Sequence, residues 1–460
     1  MGAVDSSTLP LALTFLGATG TVTGSKYLLD TGRVQVLLDC GLFQGFKQLR
    51  LRNWQELPIS TRALDAVVLT HAHIDHSGYL PVLARAGYRG AVYCTPSTAA
   101  LCRILLPDAG RLQELDAEYA NKKGYSRHHP ALPLYTADDA TRALELLRPV
   151  EFDERFALPG GLHATFTRAG HILGAASVCV EASGSRVLFS GDLGRSEDLL
   201  MNPPAPRPDA ETVVMESTYG DRLHDQVDPT NALGEAIGRT IARGGTVLIP
   251  AFSVGRTQAI LVLLHRLRAA GRLPNVPLYV DSPMAIAVTE LYARRARDHR
   301  LDRATFEPAF AAAEYARETE DSKAIDRREQ PSIVISASGM ATGGRIVHHL
   351  KRFAPQHENM IVLAGYQAAG TRGAALAAGA SQLKIHGEYV PVRAEVALLE
   401  SLSAHADQRE LLAWLGSGAP PRQIFLVHGE PAAADTLRVK IREQLGWESV
   451  VPDYRDTVHL

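Results

Sequence analysis

Three imidazoles and a carboxylate fall within six residues in the run Thr70-His71-Ala72-His73-Ile74-Asp75-His76-Ser77-Gly78. Imidazole nitrogen and carboxylate oxygen are donors that zinc prefers, and a catalytic zinc keeps one position open for water. With 17 histidines in 460 residues, such a cluster arises by chance in on the order of one in a thousand chains of this kind. The run reads as a metal site. Further candidates stand alone: Asp39 in Leu37-Leu38-Asp39-Cys40-Gly41, His171 in Ala169-Gly170-His171-Ile172-Leu173-Gly174, Asp192 in Ser190-Gly191-Asp192-Leu193-Gly194, Glu216 in Met215-Glu216-Ser217-Thr218-Tyr219, and His428 in Leu426-Val427-His428-Gly429-Glu430. Singly, an Asp-Leu-Gly or His-Gly turn is more often a turn former than a ligand. Their recurrence carries more information, because polar groups at the ends of apolar strands converge on one sheet edge, where sites form in layered folds.

The elements that must position them show as pattern. Ala66-Val67-Val68-Leu69 reads as a buried strand whose extended continuation brings His71 and His73 to one side with their rings side by side. Ser77 to Ala86 reads as a helix with Pro81 in its first turn and Gly87 as its stop, leaving Asp75 and His76 where the chain turns, facing a second metal. Over the first 200 residues, short apolar runs at Leu11 to Leu16, Val34 to Leu38, Ala91 to Cys94, His163 to Arg168, Ser177 to Glu181 and Val187 to Ser190 predict packed sheets with helices outside. Residues 99 to 148, helical in period and rich in charge, form an excursion over the sheet. A proline-rich joint, Asn202 to Pro208, precedes a strand at Thr212 to Met215. From about residue 230 strands and helices alternate regularly, the mark of a parallel sheet covered by helices. Residues 396 to 460 return to a mixed pattern, so one domain is interrupted by another.

Hydrophobic residues at 46% and charged residues at 21% describe an ordinary globular chain, long enough for two or three domains. No apolar run reaches about 18 residues and no basic segment leads into an apolar one, so neither a membrane span nor a signal peptide is expected, and a cytoplasmic location is. Cys40, Cys94, Cys102 and Cys179 lack CxxC spacing and are expected as buried thiols. A net charge of -2 argues against an indiscriminate nucleic-acid binder but leaves room for a basic groove. Positive charge is mostly arginine, 40 Arg against 8 Lys, and guanidinium suits bidentate phosphate recognition. Ser253-Val254-Gly255-Arg256 and the glycine-rich stretch Ser338 to Arg345 each follow a strand and open a helix, where backbone N–H groups can meet phosphates. Ser253, Arg256, Ser338, Gly343 and Arg345 are the candidate RNA-phosphate contacts. The arginine-rich stretch Ala293 to Arg300 reads as a solvated helix face.

Taken in order, Asp39, His71, His73, Asp75, His76, His171 and Asp192 resemble the motif series of the metallo-β-lactamase superfamily. The resemblance to its β-CASP nuclease branch is closer still. Glu216 in Glu-Ser-Thr-Tyr-Gly, His405 in Ser403-Ala404-His405-Ala406-Asp407 and His428 in His-Gly-Glu are similar to three additional motifs of that branch, as are the segments Pro250 to Gln258 and Ser336 to Arg345 to others. It spans about residues 11 to 430. The resemblance implies an α/β fold: a metallo-β-lactamase αβ/βα four-layer sandwich built from residues 1-215 and 395-460, with a β-CASP parallel-sheet α/β domain, 216-394, inserted as a cap over the cleavage cleft. It implies two Zn2+ ions, one held by His71, His73 and His171, the other by Asp75, His76 and His428, with Asp192 bridging and Asp39 orienting a ligand from behind. Asp75, Asp192, Glu216 and His405 are the catalytic residues that it implies.

Two zinc ions about 3.5–4 Å apart can activate water at neutral pH and neutralise the non-bridging oxygens of a phosphodiester. The leaving alkoxide still needs an acid, and a histidine suits that task. By resemblance His405 is that acid, with Glu216 holding its other nitrogen in the correct tautomer. The implied activity is a zinc-dependent ribonuclease, endonuclease and/or 5′-3′ exonuclease, leaving 5′-phosphate and 3′-hydroxyl ends. Its expected partner is single-stranded RNA, with a homodimer as an option and no membrane. The alternatives are a DNA nuclease of the crosslink-repair branch and a non-nucleolytic hydrolase of a thioester or lactam. His428 favours RNA, since the DNA relatives usually lack that histidine, and His405 with the inserted domain counts against the small-molecule hydrolase. About 30 residues follow His428, from which weaker 5′-to-3′ processivity is expected than in longer members.

Overall fold

A computed structural model describes residues 11–124, 126, 128–182, 184–224, 229–365, 367–399 and 403–460. Strand alternation builds its first half. One seven-stranded sheet runs in the order Thr457–His459, Ala12–Phe15, Tyr27–Asp30, Gln35–Leu38, Leu64–Val68, Ala91–Cys94, Leu147–Pro149. A six-stranded sheet runs Gln423–Val427, Thr212–Glu216, Ser185–Phe189, Ala176–Ala182, His163–Arg168, Arg155–Ala157. Because successive side chains point to opposite faces, Leu13, Phe15, Tyr27, Leu29, Val36, Leu38 and Val68 of the first sheet meet Phe166, Val178, Val180, Val187, Phe189, Val214 and Phe425 of the second. Their neighbours Leu28, Leu37, Val67 and Val92 point away, into a cluster with Leu83, Leu101 and Leu105 of the covering helices. On the far side Val213, Met215, Ile424 and Leu426 pack with Leu411, Leu415, Leu437 and Ile441. The result is the four-layer αβ/βα sandwich, closed by both ends of the chain.

The inserted unit holds a sheet ordered Glu314–Tyr315, Leu278–Asp281, Ile333–Ser336, Val247–Pro250, Met360–Ala364, Glu395–Leu399. Every pairing in it is parallel, and Val247–Pro250 and Ile333–Ser336 are buried throughout, as strands covered on both faces must be. Glu395–Leu399 pairs with Met360–Ala364, so this sheet runs five residues past the expected boundary at 394. The excursion is the helix Pro96–Lys123, capped by Thr95 and stopped at Gly124 in the left-handed region, followed by Ala137–Leu144 with a capping box at Thr136. The four cysteines are free and buried. Among the described residues no helix is long and apolar enough to cross a membrane.

One expected element differs. The helix read over Ser77 to Ala86 is two pieces, Ile74–Ser77 and Leu80–Arg85, with His73 as N-cap of the first. Asp75 and His76 therefore sit inside a helical turn instead of beside one. Its carbonyls are claimed from outside: Leu42 N–H donates to Ile74 (2.9 Å), Ser25 N–H to Asp75 (2.9 Å) and Cys40 N–H to His76 (2.7 Å). The loops fix the turn in place, Ile74 also accepting Gly78 N–H at 2.8 Å, and the next helix starts afresh at Leu80. Gly41 makes the close approach necessary, since a Cβ there would lie 1.6 Å from the Asp75 carbonyl oxygen.

Candidate metal centre

The five lone candidates and the histidine run all follow or end strands whose C-terminal ends share one rim. Asp39 follows Gln35–Leu38, His71 and His73 follow Leu64–Val68, His171 follows His163–Arg168, and Asp192 follows Ser185–Phe189. Glu216 ends its own strand and His428 follows Gln423–Val427, which pairs in parallel with it. His71 and His73 converge, but edge to face, with ring planes at 80°; the side-by-side arrangement expected from a continuous strand is lost because the strand ends at Val68.

Two groups of donor atoms result. In the first, His71 Nε2 lies 3.1 Å from His73 Nδ1, which lies 3.2 Å from His171 Nε2, and Asp192 Oδ2 is 3.5 Å from His71 Nε2 and 3.6 Å from His171 Nε2. In the second, His76 Nε2 lies 3.1 Å from His428 Nε2, which is 3.4 Å from Asp75 Oδ2. The other Asp192 oxygen, Oδ1, is 3.2 Å from His76 Nε2. Ligand atoms around a tetrahedral zinc with bonds near 2.05 Å stand roughly 3.3 Å apart, so both groups have the spacing that zinc requires. The Asp192 carboxylate faces one group with each oxygen.

Atoms behind the donors fix their rings. Asp39 Oδ2 is 2.7 Å from His76 Nδ1, while the same carboxylate accepts Thr70 N–H at 2.8 Å and the Thr70 hydroxyl at 2.9 Å. Thr70 Oγ1 is also 3.0 Å from His71 Nδ1, and Thr218 Oγ1 is 3.1 Å from His428 Nδ1. Such partners select the tautomer that leaves the inner nitrogen free for metal. Electrostatics points the same way. Burial holds His71 and His171 well below their ordinary pKa and takes His73 to about 4, so these rings are neutral, the form that a metal would require. For Asp192, burial opposes ionisation but the surrounding His428, His76 and His71 hold it well below the usual carboxylate range. His76 differs: Asp192 and Asp39 outweigh burial and raise its pKa, so a metal bound there would have to displace its proton.

Beside the first group, His405 Nδ1 lies 3.3 and 3.2 Å from the two oxygens of the buried Glu216, and Leu193 N–H donates to Glu216 at 2.6 Å. Burial lowers the His405 pKa, but the Glu216 charge outweighs it and the net direction is up. The His405 ring lies against His171, with centroids 4.4 Å apart and planes tilted by 45°. Sequence reasoning did not single out His224, whose Nε2 is 2.8 Å from the His405 carbonyl oxygen and whose N–H donates to Asp407 at 3.1 Å. Its position eight residues after Glu216 was the available signal. Thr70, Thr218 and Ser25, the last 3.3 Å from His76 Nε2, were likewise missed, since hydroxyls at strand ends are too common to stand out.

The phosphate candidates divide. Arg256 opens the helix Arg256–Ala269; its Nε is buried without a hydrogen-bond partner, and burial takes its pKa to about 10. Ser253 is buried at the same turn, and Gly343 has open space around it. Ser338 Oγ instead caps its own loop, accepting Thr342 N–H at 3.0 Å. Arg345 is a correction: its guanidinium donates to Asp281 (2.6 Å) and to the carbonyls of Ala316 (3.0 Å) and Arg317 (2.8 Å), so its fork is committed inside the inserted unit.

Comparison with known proteins agrees with this architecture. The pattern described as Metallo-beta-lactamase superfamily matches residues 19–235, the Beta-Casp domain matches 257–376, and the Zn-dependent metallo-hydrolase RNA specificity domain matches 389–452. A ribonuclease of Thermus thermophilus is 42% identical over 424 residues, covering 90% of this chain and 92% of its own. Transcription termination factor FttA of Methanosarcina mazei is 30% identical over 471 residues, covering 97% of this chain and 71% of that protein, and its counterpart in Pyrococcus abyssi is 31% identical over 479 residues. A crystal structure of an Enterococcus faecalis protein of unknown function shares the fold, with a TM-score of 0.53, 13% identity and coverage of 98% of this chain.

Proposed function

The chain belongs to the β-CASP ribonuclease family of the metallo-β-lactamase superfamily, and from that premise we propose that it hydrolyses phosphodiester bonds of single-stranded RNA with two zinc ions, in the cytoplasm. His71, His73 and His171 would hold one ion, Asp75, His76 and His428 the other, and Asp192 would bridge them. The observation that carries this reading is the Asp192 carboxylate, one oxygen turned to each donor group. When bound, the ions would supply a water of lowered pKa and neutralise the charge that develops on the phosphate.

The remaining work falls to side chains. Glu216 accepts the Nδ1 proton of His405 and so fixes the tautomer and plane of the ring. His405 then holds a proton at its other nitrogen, next to the first donor group, and delivers it to the departing 3′ oxygen. Product ends are then a 5′-phosphate and a 3′-hydroxyl. The inserted unit, Glu216 to Leu399 in our division, brings Arg256 to the rim of the same cleft, where its unpartnered Nε is a docking point for a neighbouring phosphate. The test is digestion of a single-stranded RNA by protein loaded with two zinc equivalents, with the product ends identified by ligation and phosphatase treatment. Cleavage leaving 5′-phosphates is the expected result; no cleavage, or 2′,3′-cyclic phosphate ends, would refute the assignment. A 5′-labelled and an internally labelled RNA digested side by side then read whether the ends or the interior are cut first.

A further inference from the structure

The short helix Lys47–Arg52 is inside out. None of its residues is buried, yet Phe46 at its N-cap, Leu51 on it and Trp54 just beyond it are 56%, 49% and 57% exposed. Large exposed side chains of this kind, gathered on one short segment, mark a contact surface. The inward contacts are polar instead. Asn53 accepts Phe43 N–H at 2.9 Å and donates to the Phe43 carbonyl at 2.8 Å, and the Arg52 guanidinium lies between the rings of Phe43 (5.4 Å) and Tyr454 (4.2 Å). The segment is thus held by Asn53 and Arg52, with the rings that flank the helix presented to solvent.

Its location ties it to the cleft. The segment leaves the metal centre at Gly41 and Leu42, which press on the turn carrying Asp75 and His76. It reaches the inserted unit at Gly45 and Phe46: a Cβ on Gly45 would sit 2.8 Å from the Ala369 carbonyl, and one on Gly370 would sit 3.0 Å from the Phe46 ring. Charge is equally one-sided. Residues 46–55 contain Lys47, Arg50 and Arg52 and no acid. Arg372 of the inserted unit, whose guanidinium donates to the carbonyls of Lys384 (2.8 Å), Ala341 (3.1 Å) and Thr342 (3.1 Å), adds to the positive field at Arg50. Positive charge beside exposed aromatic rings calls for an anionic partner that also has flat faces. Phe46 precedes the helix as its non-helical N-cap and Trp54 follows its C-cap Asn53, so the two exposed rings flank the helix that carries Arg50 and would take different bases.

We propose that Phe46 and Trp54 form a stacking platform, with Arg50 as its phosphate contact, that grips unpaired RNA bases flanking the scissile bond at the seam of the two domains. The proposal rests on the ribonuclease reading for its substrate but not for its measurement. Binding of a fluorescent 10-nucleotide RNA and of a dinucleotide is measured by anisotropy on the full chain in EDTA, where no cleavage occurs, for wild type, Phe46→Ala, Trp54→Ala and Arg50→Glu. Stacking on one aromatic is worth a factor of about 5 to 150 in affinity, so each aromatic variant should weaken 10-mer binding at least about fivefold while dinucleotide binding and the melting temperature stay unchanged. Arg50→Glu should weaken the 10-mer and flatten its salt dependence. Wild-type 10-mer affinity in Phe46→Ala and Trp54→Ala overturns the platform, as does no 10-mer binding by wild type. RNA that binds through the platform but is never cut with zinc restored would instead sink the ribonuclease reading and leave the platform standing.

Discussion

His349 offers a perturbation whose size follows from geometry. It is buried in the inserted unit, with Nε2 2.7 Å from Asp281 and Nδ1 2.6 Å from Asp326. Asp281 also accepts the Ser322 hydroxyl at 2.5 Å and Arg345 at 2.6 Å. Burial alone would lower the pKa of His349, but the two carboxylates outweigh it and raise it from 6.5 to about 9. A histidine whose folded pKa exceeds its unfolded one stabilises fully below the unfolded value and loses that contribution as pH rises through the folded one. The window here runs from about 6.5 to about 9, and the difference corresponds to about 3 kcal/mol. His349→Gln removes the charge while keeping a donor for one carboxylate. Urea unfolding followed by circular dichroism at pH 6 should show the variant less stable by about 3 kcal/mol, and at pH 10 the gap should shrink to a few tenths. A gap of equal size at both pH values would refute the reasoning, because it would mean that His349 acts through packing and not through its charge.

The other predictions concern the site. Asp39→Asn should weaken zinc at the half of the centre that contains His76 by about 10- to 100-fold while leaving the other half loaded, read by competition with a chromophoric chelator. Gly41→Ala forces a Cβ against the Asp75 carbonyl and should cost about 1–3 kcal/mol in thermal stability, with zinc lost from the same half. His224→Ala frees the His405 carbonyl and should lower kcat on RNA about fivefold, the value of one hydrogen bond of roughly 1 kcal/mol, with zinc content and KM unchanged in the same preparations.

The metal centre was legible because its densest part is local. His71, His73, Asp75 and His76 cluster in the chain itself, so no knowledge of topology is needed to see them. Asp39, His171, Asp192, Glu216 and His428 could be grouped only by a shared habit of following apolar strands, and parallel pairing of neighbours such as Thr212–Glu216 with Gln423–Val427 makes that habit spatial. Contacts made by the turn's carbonyls were not legible: nothing in the sequence says that Ser25, Cys40 and Leu42 would claim them, and so the helix break at Ser77 went unread. Arg345 shows the same limit. A glycine-rich loop ahead of an arginine is the pattern of a phosphate site, but the acceptors that engage this guanidinium, Asp281, Ala316 and Arg317, come from 28 or more residues away. The strand Glu395–Leu399 was placed outside the inserted unit because only its pairing, not its composition, assigns it to a sheet. The exposed aromatics flanking Lys47–Arg52 carried no signal either, since an apolar residue every few positions looks alike whether it faces in or out.

The central claim is a metal centre served by a separate proton donor, His405, and the most direct measurement compares two substrates on one variant. His405→Ala, loaded with zinc and analysed for metal content, is assayed on single-stranded RNA and on bis(p-nitrophenyl) phosphate, whose leaving group departs without a proton. The account predicts that zinc content stays at two equivalents, that RNA cleavage falls by about 10²- to 10⁴-fold, and that aryl diester hydrolysis remains near wild type. Loss of zinc from the variant, or an equal fall on both substrates, would contradict it.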